Sequence, residues 1–513
     1  MLGCIFQHLN YLRPAFCRRW LLFHPLRMSA FTAQPAPPAT AAPPTANRFD
    51  AEFAALRANA PALRAEGAAA RRHRLGQLAG WITTNREAIQ QALFQDFKKP
   101  PEETDLTEIW PSLTEIKHSS QQLKKWLAPR AVGTPLALLG TKGWVQVEPK
   151  GVVLIIAPWN YPFYLALDPL ASALAAGNAV VIKPAEQTPA TSALLRQLAE
   201  ALFRPDEVLV LEGGREVASE LLRLPWDHIF FTGSPQIGKI VMRAAAEHLS
   251  GITLELGGKS PAIVDDTANL RDAAEKIVWG KFLNAGQTCV APDYLLVQAS
   301  VRAALLAEMS QAISRYYGVD NEAIKASKSF ARIVNAHHFA RLAALLEDAQ
   351  TRGGAVAQGG SFDERQRYIE PTILTDVPVG AAILEEEIFG PLLPVLTFEE
   401  LPDAAAYVNA RPKPLAQYVF TTSPANRRYL LASIAAGGAA VNETIIQLAH
   451  PDLPFGGVGN SGLGKAHGHA GFLAFSNEKA VLKQRVGLTG IKPFYPPYTG
   501  RVRRLLGLLL KYL

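Results

Sequence analysis

The sequence predicts an α/β protein with two doubly wound domains, each built around a parallel sheet. Two alternating regions indicate this fold. Between residues 151 and 231, short apolar runs typical of buried strands alternate with segments of helical periodicity. A second alternating region extends from residue 260 to about residue 441. Because the chain has 513 residues, two or three domains of ordinary size can each bury a core.

The first 47 residues differ in composition from the rest of the chain. Residues 1–27 mix aromatic residues, leucines and arginines, and they make only a weak signal peptide. Residues 31–46 are rich in Ala, Pro and Thr, a composition that favours disorder. Met28 is a second plausible start, and we expect translation to begin there. We therefore interpret residues 1–47 as a disordered or wrongly assigned N-terminal extension.

Helical periodicity comes first in the body of the chain. It covers residues 48–127, where Leu75, Leu78 and Ile82 recur at spacings of three and four, and it is clear again in the run 109–127. The pattern then changes at residue 151. We predict strands at 152–157, 179–182, 208–211 and 228–231, and helices at 165–176, 192–202 and 216–222. One domain is thus predicted from residues 48–133 and 151–254, and a second from residues 255–441.

The net charge of +7 is concentrated at the two ends of the chain. Residues 1–48 contain five Arg, residues 479–513 contain eight Lys and Arg, and neither segment contains Asp or Glu. The remaining body carries 39 basic and 45 acidic residues and is mildly acidic. Since a nucleic-acid-binding protein carries its basic patch on a folded domain, we predict no nucleic-acid partner. The basic ends are interpreted as flexible arms or as a membrane-facing surface.

The C-terminal tail, residues 491–513, is both basic and apolar. Arg501, Arg503 and Arg504 stand beside five leucines. The apolar stretch is about half as long as the roughly 20 residues that span a bilayer. We therefore predict an interfacial helix that binds anionic membrane surfaces. The alternative is that the leucines fold back onto a dimer or cover the entrance of a binding site.

Cys289 is the only cysteine in the body of the chain, because Cys4 and Cys17 lie in the N-terminal extension. An isolated thiol fits a reducing compartment, so we expect a cytoplasmic protein. Small and polar residues at 284–288 leave room for a substrate, and Glu255 precedes the thiol by 34 positions. This arrangement predicts a nucleophile with a partner base; a small buried core residue is the alternative. Without a C-x-x-C pair or an H-E-x-x-H motif, no metal site is predicted.

Two glycine motifs are tempting but are set aside as nucleotide fingerprints. Residues 457–462 satisfy G-x-G-x-x-G but do not directly follow a predicted strand, so they are interpreted as a tight loop. Residues 233–239 match most of a P-loop, but Ile240 stands where Ser or Thr must hold magnesium. Gly233 and Ser234 still end a strand just before a predicted helix. They predict a phosphate site at the helix N-terminus, with a plain strand-to-helix turn as the alternative.

A second cofactor candidate follows the strand at 179–182. The carboxyl ends of strands are where open α/β sheets bind their ligands. Lys183 is placed to hold a ribose hydroxyl, and Glu186 to accept a hydrogen bond from an adenosine 2′-hydroxyl. Because Glu186 would repel a 2′-phosphate, we predict NAD as the cofactor, with NADP as the alternative.

Seven motifs together resemble the aldehyde dehydrogenase superfamily over roughly residues 50–490. The motifs are 157–162 (Ala-Pro-Trp-Asn-Tyr-Pro), 182–186 (Ile-Lys-Pro-Ala-Glu), 231–234 (Phe-Thr-Gly-Ser), 254–259 (Leu-Glu-Leu-Gly-Gly-Lys), 284–289 (Asn-Ala-Gly-Gln-Thr-Cys), 386–391 (Glu-Glu-Ile-Phe-Gly-Pro) and 454–462 (Pro-Phe-Gly-Gly-Val-Gly-Asn-Ser-Gly). Their order and spacing follow the family. The Asn-Tyr-Pro variant at 160–162 and the Ala-Pro-Asp-Tyr continuation at 291–294 are most similar to the class 3 branch, which includes fatty, aromatic and coniferyl aldehyde dehydrogenases.

The resemblance implies an NAD-binding domain at 48–133 and 151–254 and a catalytic domain at 255–441. It also implies a small β arm for dimerisation within 134–150 and 442–490, which uses residues near 143–150 and a strand near 479–485. The implied reaction is NAD-dependent oxidation of an aldehyde through a Cys289 thiohemiacetal and thioester. The Asn160 amide and the Cys289 backbone N–H would hold the oxyanion, and Glu255 would activate the hydrolytic water. Glu387 and Phe389 would hold the nicotinamide ribose and ring.

Several alternatives remain open at this point. A CoA-acylating relative would typically lack the hydrolytic carboxyl that Glu255 provides, and a catalytically silent structural member would not need Cys289. The substrate is expected to be a medium- or long-chain aliphatic or an aromatic aldehyde. Tyr161, Tyr164 and Tyr294 would line a hydrophobic tunnel or else belong to the core. A homodimer with peripheral membrane contact through its tail is expected.

Overall fold

Helices surround three main sheets in the computed structural model, which describes residues 46–135, 138–487 and 489–511. The expectations for residues 1–45, including a start at Met28, lie outside these described residues. The helices are α1 (Asp50–Ala65), α2 (Ala68–Thr84), α3 (Arg86–Phe97), α4 (Pro101–Thr104), α5 (Trp110–Trp126), α6 (Tyr164–Ala176), α7 (Pro189–Leu202), α8 (Arg215–Leu221), α9 (Pro235–His248), α10 (Leu270–Phe282), α11 (Arg302–Tyr316), α12 (Asn321–Ala326), α13 (Ala336–Thr351), α14 (Ala382–Glu385), α15 (Leu401–Asn409), α16 (Pro424–Ser433), α17 (Gly468–Ala474) and α18 (Gly500–Lys511).

The strands are β1 (Arg130–Val132), β2 (Thr141–Pro149), β3 (Val152–Ile156), β4 (Ala179–Lys183), β5 (Val208–Val210), β6 (His228–Gly233), β7 (Gly251–Leu256), β8 (Pro261–Val264), β9 (Tyr294–Gln298), β10 (Ala355–Gln358), β11 (Phe362–Asp363), β12 (Tyr368–Ile369), β13 (Thr372–Thr375), β14 (Leu392–Phe398), β15 (Ala416–Phe420), β16 (Gly438–Val441), β17 (Gly462–Leu463) and β18 (Ser476–Gln484). The helical periodicity of residues 48–127 forms α1 to α5, with one turn of π-helix at Asp105–Ile109 between α4 and α5. Leu75, Leu78 and Ile82 are buried on α2, as their spacing predicted.

The first sheet has the strand order β17-β7-β6-β3-β4-β5. Strands β3 to β7 pair in parallel, and β17 is antiparallel to β7. Alternate residues of β3 enter different cores: Val153 and Ile155 pack into one, and Val152 and Leu154 into the other. Both faces of this sheet are therefore covered by helices, which is why its strands are apolar throughout. The doubly wound α/β fold predicted from these runs is confirmed.

The topology of the first sheet creates a crevice at one point. The chain leaves β3 for β4 and β5 on one side and returns to β6 on the other side. Doubly wound sheets bind ligands at the carboxyl ends of the strands beside such a switch point. Strand β6 also continues two residues past its predicted end, because Thr232 and Gly233 pair with Glu255 and Leu256 of β7. This pairing brings Gly233 and Glu255 to the same edge of the sheet.

The second sheet has the order β10-β13-β14-β9-β8-β15-β16. All its pairings are parallel except that of β10 with β13 at one edge. Glu255 is the penultimate residue of β7, and β8 of the second sheet begins shortly afterwards at Pro261. Two sheets of this kind agree with the predicted pair of α/β domains. The residue ranges proposed for each domain stay predictions.

A separate three-stranded antiparallel sheet has the order β1-β2-β18. Strand β18 pairs with the whole of β2, from Ser476 opposite Pro149 to Gln484 opposite Thr141. The β arm expected near residues 143–150 and 479–485 is thus present. Its third strand, β1, lies before residue 134, in the range that we assigned to the NAD-binding domain. It joins the arm because Arg130 to Val132 pair with β2 directly after α5.

The C-terminal tail forms the amphipathic helix α18. Val502 is buried, whereas Leu506, Leu508, Leu509 and Leu510 are exposed. Among the described residues, we find no helix with both the length and the apolar character that crossing a membrane requires.

Candidate active site

A cavity of about 740 Å³ lies at the carboxyl ends of β3, β6 and β7. Seven of the nine predicted site residues line it: Asn160, Gly233, Ser234, Glu255, Cys289, Glu387 and Phe389. Most of the remaining wall is apolar, and Trp110, Leu165 and Ile446 belong to it. Tyr161 and Tyr164 also line the cavity, whereas Tyr294 is buried in the core beside Tyr407.

The loop that carries Cys289 has an unusual backbone. Asn284, Ala285 and Gly286 adopt successive φ angles of 54°, 51° and 75°, in the left-handed region that non-glycine residues rarely enter. At Gly286 a Cβ atom would lie 2.2 Å from the carbonyl oxygen of Gly390, so only glycine fits there. The side chain of Gln287 donates to the Asn284 carbonyl at 2.9 Å and accepts from the Val334 N–H at 2.9 Å. These contacts hold the thiol in one position.

The thiol of Cys289 is strongly disfavoured as an anion. It is partly exposed toward the cavity. Burial from bulk solvent, followed by the carboxyls of Glu387 and Glu255, raises its pKa to about 12, while the backbone N–H groups of Cys289 and Val290 act in the opposite direction. At neutral pH the thiol is therefore protonated, and it needs a base or a nearby positive charge to become a nucleophile.

Glu255 has the properties of such a base. Its side chain is buried, and neither carboxyl oxygen has a hydrogen-bond partner within the described parts of the chain. Burial raises the pKa of this carboxyl well above its usual value; Lys465 opposes the shift and Asp168 adds to it. The Lys465 ammonium donates instead to the Gly456 and Gly437 carbonyls. When ionised, a buried carboxylate without partners is a stronger base than an exposed one, which suits the removal of a proton from water.

Asn160 lies in the loop that follows β3, next to the Cys289 loop. Its Nδ2 donates to the Gln287 carbonyl at 3.0 Å, and its own carbonyl accepts from the Asn284 Nδ2 at 2.8 Å. The neighbouring residues Tyr161 and Thr288 are also hydrogen-bonded, with 2.5 Å between the Tyr161 hydroxyl and the Thr288 Oγ1. The amide of Asn160 and the thiol therefore belong to one hydrogen-bonded unit at the cavity wall.

Gly233 and Ser234 stand where β6 ends and the 14-residue helix α9 begins. The Ser234 Oγ accepts from the Ile237 N–H at 3.4 Å and caps the helix. A Cβ atom on Gly233 would lie 2.5 Å from the ring of Phe231, so any side chain at this position would have to displace that ring. A helix N-terminus that opens into the cavity fits a phosphate group.

Lys183 and Glu186 do not line the cavity. They follow β4 on the same edge of the sheet, where the Lys183 Nζ donates to Glu186 at 2.7 Å. Lys183 is buried, but the Glu186 side chain is 44% exposed. The structure thus couples two residues that the sequence suggested as independent ribose contacts.

Glu387 and Phe389 are held against the cavity by contacts from distant parts of the chain. The Ile388 N–H donates to Asp293 at 2.8 Å, the Lys259 Nζ donates to the Glu386 carbonyl at 2.8 Å, and Arg341 donates to the Glu387 carbonyl at 3.2 Å. Lys259, Asp293 and Arg341 are not among the site residues predicted from the sequence. Their partners are up to 127 positions away, so no local pattern indicates them.

The Glu387 carboxyl packs directly over Gly257, where a Cβ atom would lie 2.1 Å from Oε2. Burial, followed by the charge of Asp293, raises the pKa of the Glu387 carboxyl to about 8. The Gly258 N–H, Lys259 and Arg341 act in the opposite direction and lower it. Phe389 has a φ of 50°, and its ring meets Trp159 edge to face at a centroid distance of 5.2 Å. The unpartnered Oε1 of Glu387 and the helix terminus at Ser234 open into one cavity, an arrangement that fits a dinucleotide.

Two doubly wound sheets, together with a cysteine, a buried carboxyl and a helix N-terminus that line one cavity, are features found in nucleotide-dependent oxidoreductases. The sequence model of the aldehyde dehydrogenase family matches residues 33–481, and the chain belongs to this family. It is an NAD(P)-dependent aldehyde dehydrogenase.

Relatives within the family support the class 3 resemblance. The 4,4'-diaponeurosporen-aldehyde dehydrogenase of Staphylococcus aureus is 44% identical over 434 residues, which cover 84% of this chain and 93% of that protein. Aldehyde dehydrogenase family 3 member H1 of Arabidopsis thaliana is 43% identical over 432 residues, 84% of this chain and 88% of that protein. The substrate-bound structure of Staphylococcus aureus AldH is similar with a TM-score of 0.86 and 42% identity, covering 90% of this chain and 100% of that chain.

Proposed function

We propose that the protein oxidises apolar aldehydes to carboxylic acids through a covalent Cys289 thioester, which Glu255 hydrolyses. One observation carries this proposal: Cys289, Glu255 and Asn160 line one cavity, and both oxygens of Glu255 lack partners within the described residues. The overall reaction is R-CHO + NAD⁺ + H₂O → R-COOH + NADH + H⁺. A CoA-acylating role would not need the buried carboxyl, and a silent structural role would not need the thiol.

The Cys289 thiol loses its proton to solvent, and the resulting thiolate sulfur forms a bond to the aldehyde carbon while the carbonyl double bond opens to give a thiohemiacetal oxyanion. The Asn160 amide and the Cys289 backbone N–H stabilise this oxyanion, and one such donor is worth about 3 kcal/mol. When bound, the oxidised nicotinamide would supply positive charge near the thiol and would accept the hydride from the thiohemiacetal carbon, which thereby becomes the thioester. Glu387 and Phe389 position the ribose and ring, and Gly233 and Ser234 receive a phosphate. Glu255 then removes a proton from water, whose oxygen attacks the thioester carbon while the carbon–sulfur bond breaks.

The composition of the cavity wall supports the proposed substrate class. Trp110, Leu165, Ile446 and Leu448 present apolar surface to a cavity of about 740 Å³, which has room for more than a short alkyl chain. The Staphylococcus aureus relative, which is named for an apolar aldehyde, agrees with this proposal. A survey of initial rates of NADH formation with alkanals of increasing length, benzaldehyde and coniferaldehyde tests it. We expect kcat/KM to rise with chain length; a preference for acetaldehyde would contradict this.

NAD⁺ is expected to give a higher kcat/KM than NADP⁺, because the exposed Glu186 carboxylate would face the 2′-phosphate. Glu186→Gln removes that repulsion and frees Lys183 to meet the phosphate. Since the carboxylate is 44% exposed and therefore screened, we expect the preference to fall by only about two- to fivefold. Steady-state kinetics with both cofactors measure it. Glu200→Gln on α7 is the control for an exposed carboxylate, and equal wild-type kcat/KM values would refute the preference.

The arm is proposed to join two subunits into a homodimer. Val132 and Leu482 on its strands are exposed apolar side chains that a second subunit could cover. Light scattering on the purified protein measures the mass, and a monomer at micromolar concentration would reject the dimer.

The helix α18 is proposed to bind anionic membrane surfaces. Its exposed leucines would enter the headgroup boundary, and each of Arg501, Arg503 and Arg504 would add about 1 kcal/mol. We expect the full chain to co-sediment with anionic liposomes at low salt and a chain ending at Gly500 to remain in solution. Leu508→Glu keeps the arginines and tests the apolar contribution alone.

Identical partitioning of the full and shortened chains would reject the membrane contact. A lower Tm after truncation, without any change in partitioning, would instead favour a helix that folds back onto the protein.

A further inference from the structure

A buried carboxyl that the proposed mechanism does not use shares the cavity with Glu255. Asp168 on α6 is 3% exposed and lines the same cavity. Its Oδ1 has no hydrogen-bond partner in the part of the chain that the structure describes, and its Oδ2 lies 3.6 Å from the His467 Nε2. Leaving a buried carboxyl oxygen unpartnered is costly, which indicates that the group has a role other than stability.

Titratable groups from three other elements face Asp168. His467 precedes α17, Glu115 belongs to α5 and Glu255 ends β7; Tyr164 lies one turn earlier on α6 itself. The Tyr164 hydroxyl is 3.1 Å from the His467 Nε2, and the imidazole stacks on Phe455 at a centroid distance of 4.9 Å. Asp168 is thus held in a polar cluster at one wall of a mostly apolar cavity.

The cluster continues toward the protein surface. Glu115 accepts hydrogen bonds from the Gly468 N–H at 3.1 Å and from the Ser119 hydroxyl at 2.9 Å. One turn away on α5, the His118 Nε2 lies 3.6 Å from Asp452, a mostly exposed carboxylate. Gly468 is close to His118 as well, because a Cβ atom at Gly468 would lie 3.6 Å from the His118 Nε2. Glu115 and His118 therefore both lie against Gly468. Asp168 therefore influences the charge of both Glu255 and Glu115, and His118, one turn from Glu115, lies near the exposed carboxylate of Asp452.

The hydrolysis step needs a route of this kind. Each hydrolysis leaves one proton on Glu255, which must lose it before the next turnover. Lys465 does not take part, because its ammonium donates to backbone carbonyls. An apolar substrate that occupies the cavity separates Glu255 from bulk solvent. Without another acceptor, the protonated Glu255 would stall the cycle.

We propose that Asp168 accepts the proton from Glu255 and passes it through Glu115 and His118 to solvent, a role that rests on the proposed function of Glu255. The water oxygen forms its bond to the thioester carbon, the carbon–sulfur bond breaks, and the water proton moves to Glu255. A bridging water then carries a proton from the Glu255 carboxyl to the Asp168 carboxylate. Glu255 returns to its anionic form and Asp168 becomes neutral, so that charge and atoms balance.

The protonation properties of Asp168 suit this exchange. Burial raises the pKa of its carboxyl to about 7, and the pKa of Glu115 is also raised, first by burial and then by Asp168. Asp168 therefore exchanges protons near neutral pH, and Glu115 holds its proton more tightly than an exposed carboxylate would. Burial lowers the pKa of His467, so that a neutral imidazole faces Asp168.

The variant Asp168→Asn tests the relay, because it keeps the side-chain shape and cannot accept the proton. We expect a normal rate of hydride transfer, visible as a burst of about one NADH per site, followed by steady-state turnover at least about tenfold slower than wild type. Glu115→Gln should also slow steady-state turnover, but by a smaller factor than Asp168→Asn. Ser172→Ala, a buried residue one turn further along α6 and outside the cavity lining, is the matched control and should keep wild-type turnover.

Two further readouts separate a relay from a structural effect. Wild-type hydrolysis should accelerate as pH rises through about 7, where Asp168 becomes a carboxylate, and the variant should lack this step. Added imidazole, a small buffer that can carry the proton, should restore part of the turnover in Asp168→Asn and leave Ser172→Ala unchanged.

Turnover of Asp168→Asn within about twofold of wild type would overturn the relay and leave Glu255 as the base. A smaller burst with a higher KM, without rescue by imidazole, would also overturn it, because those changes indicate a distorted cavity. If Glu255→Gln measured in parallel turns over normally, the proposed function itself fails, and the two failures are thereby distinguished.

Discussion

Replacing Cys289 with alanine is expected to reduce aldehyde oxidation by more than about a thousandfold, since removal of a covalent nucleophile typically costs at least this much. No other cysteine lies in the body of the chain, so no second thiol can form the thiohemiacetal. The Cys289 side chain is small and partly exposed, and its loop is held by Gln287 and Asn284 rather than by the thiol. NAD⁺ binding, followed by fluorescence or calorimetry, should therefore remain close to wild type.

The control for this substitution replaces the two remaining cysteines, Cys4 and Cys17, with alanine. That double variant should keep wild-type turnover. If Cys289→Ala retains more than about a thousandth of the wild-type kcat/KM, Cys289 is not the nucleophile. If it loses NAD⁺ binding as well, the loop has been disturbed and the loss of turnover cannot be assigned to the thiol.

Replacing Glu255 with glutamine is expected to slow hydrolysis by about a hundredfold or more, the usual contribution of a general base, while hydride transfer continues. Stopped-flow absorbance should show a rapid burst of NADH followed by a stalled phase. Mass spectrometry of the stalled enzyme should find the acyl group on the peptide that contains Cys289. Normal steady-state turnover in this variant would show that Glu255 has only a structural role.

Thermal unfolding of Glu255→Gln distinguishes the loss of the base from damage to the fold. Burial raises the pKa of the Glu255 carboxyl in the folded protein, so its contribution to stability is fully present below the unfolded pKa and is lost as pH rises through the folded value. Glutamine does not ionise and avoids that loss. At pH 8, Glu255→Gln should therefore unfold at a Tm equal to or above that of wild type; a lower Tm would indicate damaged packing.

Much of the fold is readable from neighbouring residues. The apolar runs at 152–157 and 179–182 specify strands covered on both faces, and the spacing of Leu75, Leu78 and Ile82 specifies a helix with one buried face. Strand β6 ends beyond its predicted limit because pairing with β7 extends it. Pairing depends on contacts between distant segments, which the periodicity of one segment cannot predict. Local pattern thus determined the elements, and their ends depended on neighbours in space.

The candidate site divides in the same way. Cys289 and Glu255 could be named from residue type, spacing and family motifs, and the cavity brings them together with Asn160. That Lys183 would be paired with Glu186, and that Tyr294 would be core while Tyr161 lines the cavity, could not be predicted from the sequence. These outcomes depend on which side chains meet after the sheets have packed.

The sequence by itself determined the fold class, the family and seven of the residues that line the cavity, because strand and helix patterns and short motifs are encoded by residues near one another in the chain. Only the tertiary structure decided the electrostatics. Asp168 lies 299 positions before His467, yet the two side chains are 3.6 Å apart, and burial by several elements sets their protonation. Such a cluster leaves no periodic signal in the sequence, because its members are close together in the fold but come from distant parts of the chain.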